Sequence, residues 1–334
     1  MLRLDHVRMA SRFAAHRLRA LHPFEVQASL LTACNLHCTY CRCPDEKTAL
    51  MTTAQWVDTL HGLAAVGTLR IKFQGGEPTM RKDFRQLSAT AQQAGIRTAV
   101  VTNGLLFKDN PALLDHLDEV VFSLDSATAP HHDRLRGAGT HARAVEGIEI
   151  ARGRGIPLFI NMVVTNQSLD EIEPMLEFCA ARGIGLNAQP VTFGRKYYDD
   201  KALPYALDDE QMRTMHTRLA AWKRAGRPLM FMASTYEHVL DWPDYMELTE
   251  RRPDGAQCMA GRFYVHIEPN GDVHPCIQYD ADLTPMNIVR DGLEAALAHT
   301  QRHDCRDCYS AYLNERKAVF ALRPSALWEM VRRG

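Results

Sequence analysis

The sequence predicts an α/β protein built on a parallel sheet, followed by a smaller cysteine-bearing segment. Three features point there. Apolar runs alternate with helix-period segments about six times between residues 25 and 192. The runs are continuously apolar rather than alternating, as expected of strands covered on both faces. Gly67, Gly95, Gly155 and Gly183 each close a helical pattern just before the next run, where a helix C-terminus favours glycine.

The elements follow in order. Residues 1–24 read as an N-terminal amphipathic helix, with Leu4, Val7, Ala14, Leu18 and Leu21 on one face and Arg and His between them. VQASLL (26–31) is the first strand and runs into a cysteine loop, after which residues 52–67 have helical period. LRIKFQ (69–74) ends in Gly75-Gly76-Glu77-Pro78, and a helix is expected over 81–95. RTAVVTNG (97–104) precedes a helix near 110–118, and EVVFSLDS (119–126) precedes one over 140–155. PLFINMVVT (157–165) precedes one over 168–183, and GLNAQPV (185–191) closes the series. The rhythm then breaks. Residues 193–257 read as a helical connector, with a helix over 209–225, and residues 258–334 form the second cysteine region. There, FYVHIEP and DVHPC flank Asn270-Gly271, a strong hairpin turn.

The chain has 334 residues, a formal net charge of −1 and 46% hydrophobic residues. That balance permits a sizeable core and gives no global field for a nucleic acid backbone. No apolar signal segment opens the chain and no stretch reaches the length of a membrane span, so a cytoplasmic location is expected. Nine cysteines in a reducing compartment point to metal or redox chemistry, and an odd number cannot all pair.

The cysteines form two groups. Cys34, Cys38 and Cys41 share one tight loop, and three ligands on one loop leave a metal position open. Cys258, Cys276, Cys305 and Cys308 could hold zinc or an iron–sulfur cluster. Cys179 reads as an inert thiol of a helix core and Cys43 as a packing residue, or as a hydrogen-atom donor if it reaches the barrel interior.

The spacing Cys34-x3-Cys38-x2-Cys41, with Tyr40 before the third cysteine, resembles the signature of the radical S-adenosylmethionine (radical SAM) superfamily. Gly75, Gly76 and Glu77 resemble its GGEP motif, Asn103 and Ser123-Leu124-Asp125 its ribose and carboxylate contacts, and Arg136 in HDRLRGAG its carboxylate-binding arginine. The second cysteine group resembles the SPASM/twitch extension in its shorter, twitch form, and its spacing looks like that of the dehydrogenase that oxidises 2-deoxy-scyllo-inosamine.

This resemblance implies a partial (β/α)6 radical SAM barrel with a small C-terminal hairpin/helix twitch domain. It implies two [4Fe–4S] clusters, one binding S-adenosylmethionine through Cys34, Cys38 and Cys41 and one auxiliary cluster on Cys258, Cys276, Cys305 and Cys308. A 5′-deoxyadenosyl radical then abstracts a hydrogen atom, and the auxiliary cluster takes an electron. The expected activity is that of an oxidoreductase on a small molecule of sugar, cyclitol or nucleoside type, served by an electron donor such as flavodoxin or ferredoxin. Only some 24 residues precede the first strand, too few for a leader-binding domain, which weighs against a peptide substrate. A peptide maturase, and an epimerase or C–C bond-forming enzyme on a lipid-linked substrate, stand as alternatives. The basic N-terminal helix and the C-terminal FALRPSALWEMVRRG keep contact with a membrane surface open. Among His131, His132, Arg195, Tyr197, Tyr198 and His266 no catalytic base stands out.

Overall fold

A computed structural model of the chain describes residues 23–192, 199–250, 258–278 and 283–321. Residues 1–22, where the amphipathic helix is expected, Arg195, Tyr197, Tyr198 and the basic C-terminal stretch from residue 322 lie outside the described residues. Among the described residues no helix is long and apolar enough to cross a membrane.

Six strands form the expected parallel series: β1 (Glu25–Ser29), β2 (Arg70–Gln74), β3 (Arg97–Thr102), β4 (Glu119–Ser123), β5 (Leu158–Val164) and β6 (Gly185–Pro190). The helices α1 (Thr53–Ala65), α2 (Phe84–Gln93), α3 (Ala129–Arg136), α4 (Thr140–Gly153) and α5 (Ile172–Ala180) lie between them. α1 starts with a capping box in which Thr52 and Gln55 satisfy each other's backbone N–H. Val26, Ala28, Ile71 and Phe73 point to the helix layer and are fully buried, with Phe73 edge-on to Phe84 at 5.9 Å. The alternate residues, Gln27, Ser29, Gln74, Ser123 and Asn161, face the lumen, as the two-residue period of a strand requires. The result is an α/β partial barrel.

One expectation is revised. The crossover from β3 to β4 holds only a 3-10 turn, Pro111–Leu114, instead of a helix over 110–118. His116 has φ +63° and Asp115 is extended, so helical geometry stops there. The expected C-terminal hairpin forms as β7 (Tyr264–Ile267) and β8 (Asp272–His274), and β7 also pairs in parallel with β1. With β9 (Met286–Asn287) the sheet runs β9-β8-β7-β1-β2-β3-β4-β5-β6. Helices α6 (Asp209–Arg224), α7 (Leu293–Thr300) and α8 (Ala311–Phe320) complete the parts used below.

Candidate active site

The first cysteine loop lies over the C-terminal ends of the strands. Cys34, Cys38, Cys41 and Cys43 line one cavity with Gln74, Gly75, Gly76, Glu77, Asn103, Ser123, Arg136 and Asn161. Residues from the ends of five strands therefore converge, which is where a β/α barrel builds its chemistry.

The loop is held from three sides. From β2, Gly76 N–H donates to Leu31 O at 2.8 Å and Glu77 N–H to Ala33 O at 2.9 Å. A Cβ on Gly76 would lie 2.0 Å from Ala33 O, and one on Gly75, whose φ is +131°, 2.3 Å from Leu31 O. The close approach these glycines permit is to the chain's own cysteine loop.

From β3, Asn103 donates through Nδ2 to Asn35 Oδ1 at 2.8 Å, between Cys34 and Cys38. Its backbone N–H donates to Glu77 Oε2 at 2.8 Å. Glu77 Oε1 accepts from Thr79 N, Thr79 Oγ1 and Thr102 Oγ1 at 3.1, 2.5 and 2.7 Å. Burial still pushes the Glu77 carboxyl above its ordinary range, against these bonds.

From β4, Asp125 is fully buried and accepts Arg136 Nε at 2.7 Å, Arg136 Nη2 at 2.9 Å, Tyr40 OH at 2.7 Å and Val163 N–H at 3.0 Å. Burial would raise this carboxyl, but the Arg136 charge and the bonds from Arg136 and Tyr40 hold it below the usual range. Tyr40 stands between Cys38 and Cys41, so this clamp fixes the cysteine loop to β4. Asp125 and Arg136, both read from sequence as cofactor contacts, are thus spent largely on each other.

The three cysteines suit a thiolate-bound metal group in number and chemistry. Burial pushes Cys34 up to about 12 and Cys38 up to about 11, so each would give up its proton only to a cationic partner. Among the described residues no three His, Cys, Asp or Glu side chains are placed to hold a single metal ion. The fit rests on three thiols sharing one cavity. Cys43 is buried in the same wall and donates to Thr32 O at 3.6 Å.

The second group is enclosed. Cys258, Cys276 and Cys308 are buried with Phe263, Tyr264, Leu313 and Phe320, and Cys305 packs at the edge. Cys258 Sγ lies 3.3 Å from Tyr264 OH, and its backbone N–H donates to Cys305 O at 3.0 Å. Helix α8 braces the Cys305–Cys308 turn: Asn314 donates to Cys308 O at 2.5 Å and Lys317 to Arg306 O at 2.7 Å. The hairpin and α8 thus bring four distant cysteines into one cluster.

Of the residues weighed as a base, His132 is buried behind Asp125, accepts its backbone N–H at 3.2 Å and is pushed down to about 4 by burial. His131 faces Glu171 at 3.2 Å, outside the cavity. His266 is an inward residue of β7 beside Ser29 and Glu268. None of the three lines the cavity. Gln74, Asn161 and Asn35 were not singled out in the sequence. Their signal was a polar residue at an inward strand position, or between two cysteines.

Residues 29–179 match the model of the radical SAM superfamily. A PqqA peptide cyclase of Gluconobacter oxydans (strain 621H) is 30% identical over 274 residues, 79% of this chain and 72% of that protein. One of Ruegeria pomeroyi is 33% identical over 266 residues, 76% of this chain and 67% of that protein. The chain belongs to the radical SAM superfamily. It is therefore a radical SAM enzyme that uses S-adenosylmethionine and a [4Fe–4S] cluster.

Solved structures share the fold. Streptococcus suis SuiB bound to S-adenosylmethionine superposes with a TM-score of 0.65 at 20% identity, over 87% of this chain and 70% of that one. anSMEcpe with bound AdoMet and the Cp18Cys peptide gives 0.62 at 16% identity, over 91% and 98%. The expectation of a sugar, cyclitol or nucleoside substrate is corrected by these relatives, which are named peptide cyclases. That expectation leaned on the length of the N-terminal segment, which bears on leader docking and not on the chemistry of the cavity.

Proposed function

We propose that this radical SAM enzyme modifies a peptide, abstracting a hydrogen atom from it and leaving a new covalent bond within the peptide. The run of relatives named PqqA peptide cyclase, 27–33% identical over about three quarters or more of the chain, carries this reading.

When bound, S-adenosylmethionine and the reduced cluster supply a 5′-deoxyadenosyl radical, which takes hydrogen from an unactivated C–H. The chain's own residues would hold and orient the parts. Cys34, Cys38 and Cys41 would ligate the cluster. Glu77, Asn103 and Ser123 would face S-adenosylmethionine across the cavity. Tyr40, Asp125 and Arg136 would act on it indirectly, by fixing the loop. Gly75 and Gly76 would serve by letting β2 close on that loop. Cys258, Cys276, Cys305 and Cys308 would hold an auxiliary cluster; four thiolates fill its corners and suit it to carrying electrons.

The test is mass spectrometry of each short peptide encoded beside the gene, after incubation with reconstituted enzyme, S-adenosylmethionine and dithionite. The expected product is a peptide lighter by a pair of hydrogens, formed with 5′-deoxyadenosine. Unchanged peptides alongside turnover of 2-deoxy-scyllo-inosamine would overturn the reading.

A further inference from the structure

The second cysteine group is enclosed by apolar side chains, yet one buried hydroxyl meets it. Tyr264, the first residue of β7, is 2% exposed, and its OH lies 3.3 Å from Cys258 Sγ, within reach of an O–H···S bond. Its ring belongs to the same wall, 6.3 Å from the Phe320 ring and inclined to it by 27°. β7 places Tyr264 opposite Glu25 of β1, so the phenol is carried by the sheet of the barrel itself.

The fold does not need this hydroxyl to place Cys258. The backbone N–H of Cys258 donates to Cys305 O at 3.0 Å. Gly261 N–H donates to the carbonyls of Tyr264 and Pro275 at 2.8 and 3.1 Å, which ties the Cys258 limb to the strand end before Cys276. The His303 ring joins the Cys258 and Cys305 limbs, Nε2 donating to Ala260 O at 2.7 Å and Nδ1 accepting Cys305 N–H at 3.2 Å. Main-chain and imidazole bonds thus set the cysteines. The phenol oxygen has the Cys258 sulfur as its hydrogen-bond partner among the described residues.

That partner is poor as a thiol and good as a thiolate. A neutral thiol sulfur is a weak acceptor, so a buried phenol facing only a thiol is under-satisfied. A cysteine that holds a metal has lost its proton, and its sulfur then accepts a charge-assisted bond that the apolar surround strengthens. Loading the group with metal therefore completes the phenol. The same bond acts on an electron. Reduction adds negative charge to a cluster and its sulfurs, so a donor held against one of them favours the reduced form.

We propose that Tyr264 sets the reduction potential of an auxiliary cluster on Cys258, Cys276, Cys305 and Cys308, its hydroxyl donating to the Cys258 thiolate and drawing the potential upward. This rests on the auxiliary cluster of the reading above. A substrate that has given one hydrogen atom to the 5′-deoxyadenosyl radical must shed one electron and one proton to end a pair of hydrogens lighter. The proton goes to solvent and the electron to the cluster, which a higher potential makes the better acceptor. Tyr264 keeps its own proton throughout. It is a positioning residue that acts through Cys258 and touches neither substrate nor S-adenosylmethionine.

The test uses the full chain carrying Cys34→Ala, Cys38→Ala and Cys41→Ala, reconstituted anaerobically with iron and sulfide, so that only the second group loads. Its potential is read by electron paramagnetic resonance in a mediated redox titration, with and without Tyr264→Phe. Iron should stay at about four per chain in both. Tyr264→Phe should lower the reduced-to-oxidised ratio at a fixed potential about 3–10-fold, which is about 30–60 mV for one electron. A tyrosine that only filled space would leave the potential in place, because phenylalanine fills the same space. An unchanged potential at full iron loading overturns the inference and leaves the cluster standing. Should Tyr264→Phe fail to load, replacing Tyr264 by a ring-fluorinated tyrosine decides. That residue keeps the hydroxyl and donates more strongly, so the potential should rise, and no change overturns the inference. No iron on the triple variant removes the auxiliary cluster and the inference together, and leaves the peptide reading untouched.

Discussion

The two cysteine regions are built in opposite ways. Cys34, Cys38 and Cys41 sit on an open cavity and are fixed by polar bonds from β2, β3 and β4. Cys258, Cys276, Cys305 and Cys308 are walled in by aromatic side chains, with Phe263 stacked on Phe320 at 4.9 Å. Each region nonetheless depends on one buried Arg–carboxylate pair. For the first it is Arg136–Asp125. For the second it is Arg316 of α8, which donates to Glu25 of β1 at 2.7 and 3.0 Å. Polar clamps leave room above the loop for ligands, and an apolar wall does not. The difference separates a site for chemistry from one suited to structure or electron passage.

The largest expected effect belongs to Gly76→Ala. A Cβ 2.0 Å from Ala33 O cannot be relieved by a rotamer, only by moving the cysteine loop. S-adenosylmethionine cleavage should disappear while iron bound by the second group remains. Equal loss of both, by iron analysis, would show that the regions are not independent.

The next pair of variants sharpens the same contrast. Breaking a buried ion pair costs about 3–5 kcal/mol, because the survivor is left charged and unpaired. Asp125→Asn should therefore depress iron loading and cleavage at the first group and spare the second. Arg316→Met should do the reverse, and denaturant melts of both should show the destabilisation. If each variant lowers both sites alike, the two pairs support one common core.

The smallest effect is expected at Lys72. Its ammonium is buried in β2, donates to Tyr312 OH at 3.4 Å and lies 4.6 Å from that ring's centre. Burial, reinforced by Arg70 and opposed by Glu25, pushes it down to about 7. Between about 7 and the ordinary 10.5 the unfolded chain holds a proton that the folded chain does not, so stability rises with pH across that window. Below it, the fold carries a poorly compensated charge. Lys72→Met should raise stability by on the order of 1 kcal/mol near neutrality, and the gain should shrink toward pH 10. A pH-independent difference in thermal melts would contradict this.

The legible parts of the molecule were local. Strands buried on both faces wrote themselves as apolar runs such as RTAVVT and LFINMVV. The first cysteine loop lies within eight residues of sequence. What could not be read depends on distant partners. Tyr40 and Asp125 are 85 residues apart, and Glu25 and Arg316 are 291 apart. Nothing near Glu25 says that its charge will be met by a helix after the last cysteine. The helix expected near 110–118 failed for a local reason, the left-handed His116, which apolar spacing does not report. The hydrogen-bonded pair Asn161 and Asn187 left a faint trace, because polar residues recur at the inward positions of otherwise apolar β5 and β6.

The pairing of β7 with β1 has a consequence for how the chain is made. A ribosome delivers β1 more than two hundred residues before its partner β7. Until then β1 has β2 on one side and an open edge on the other, a surface prone to pairing with foreign strands. The loop of Cys34, Cys38 and Cys41 leaves from that half-supported strand. Nascent chains stalled before residue 264 should therefore hold it loosely, and metal loading of the first site is expected to be a late event in the life of each molecule.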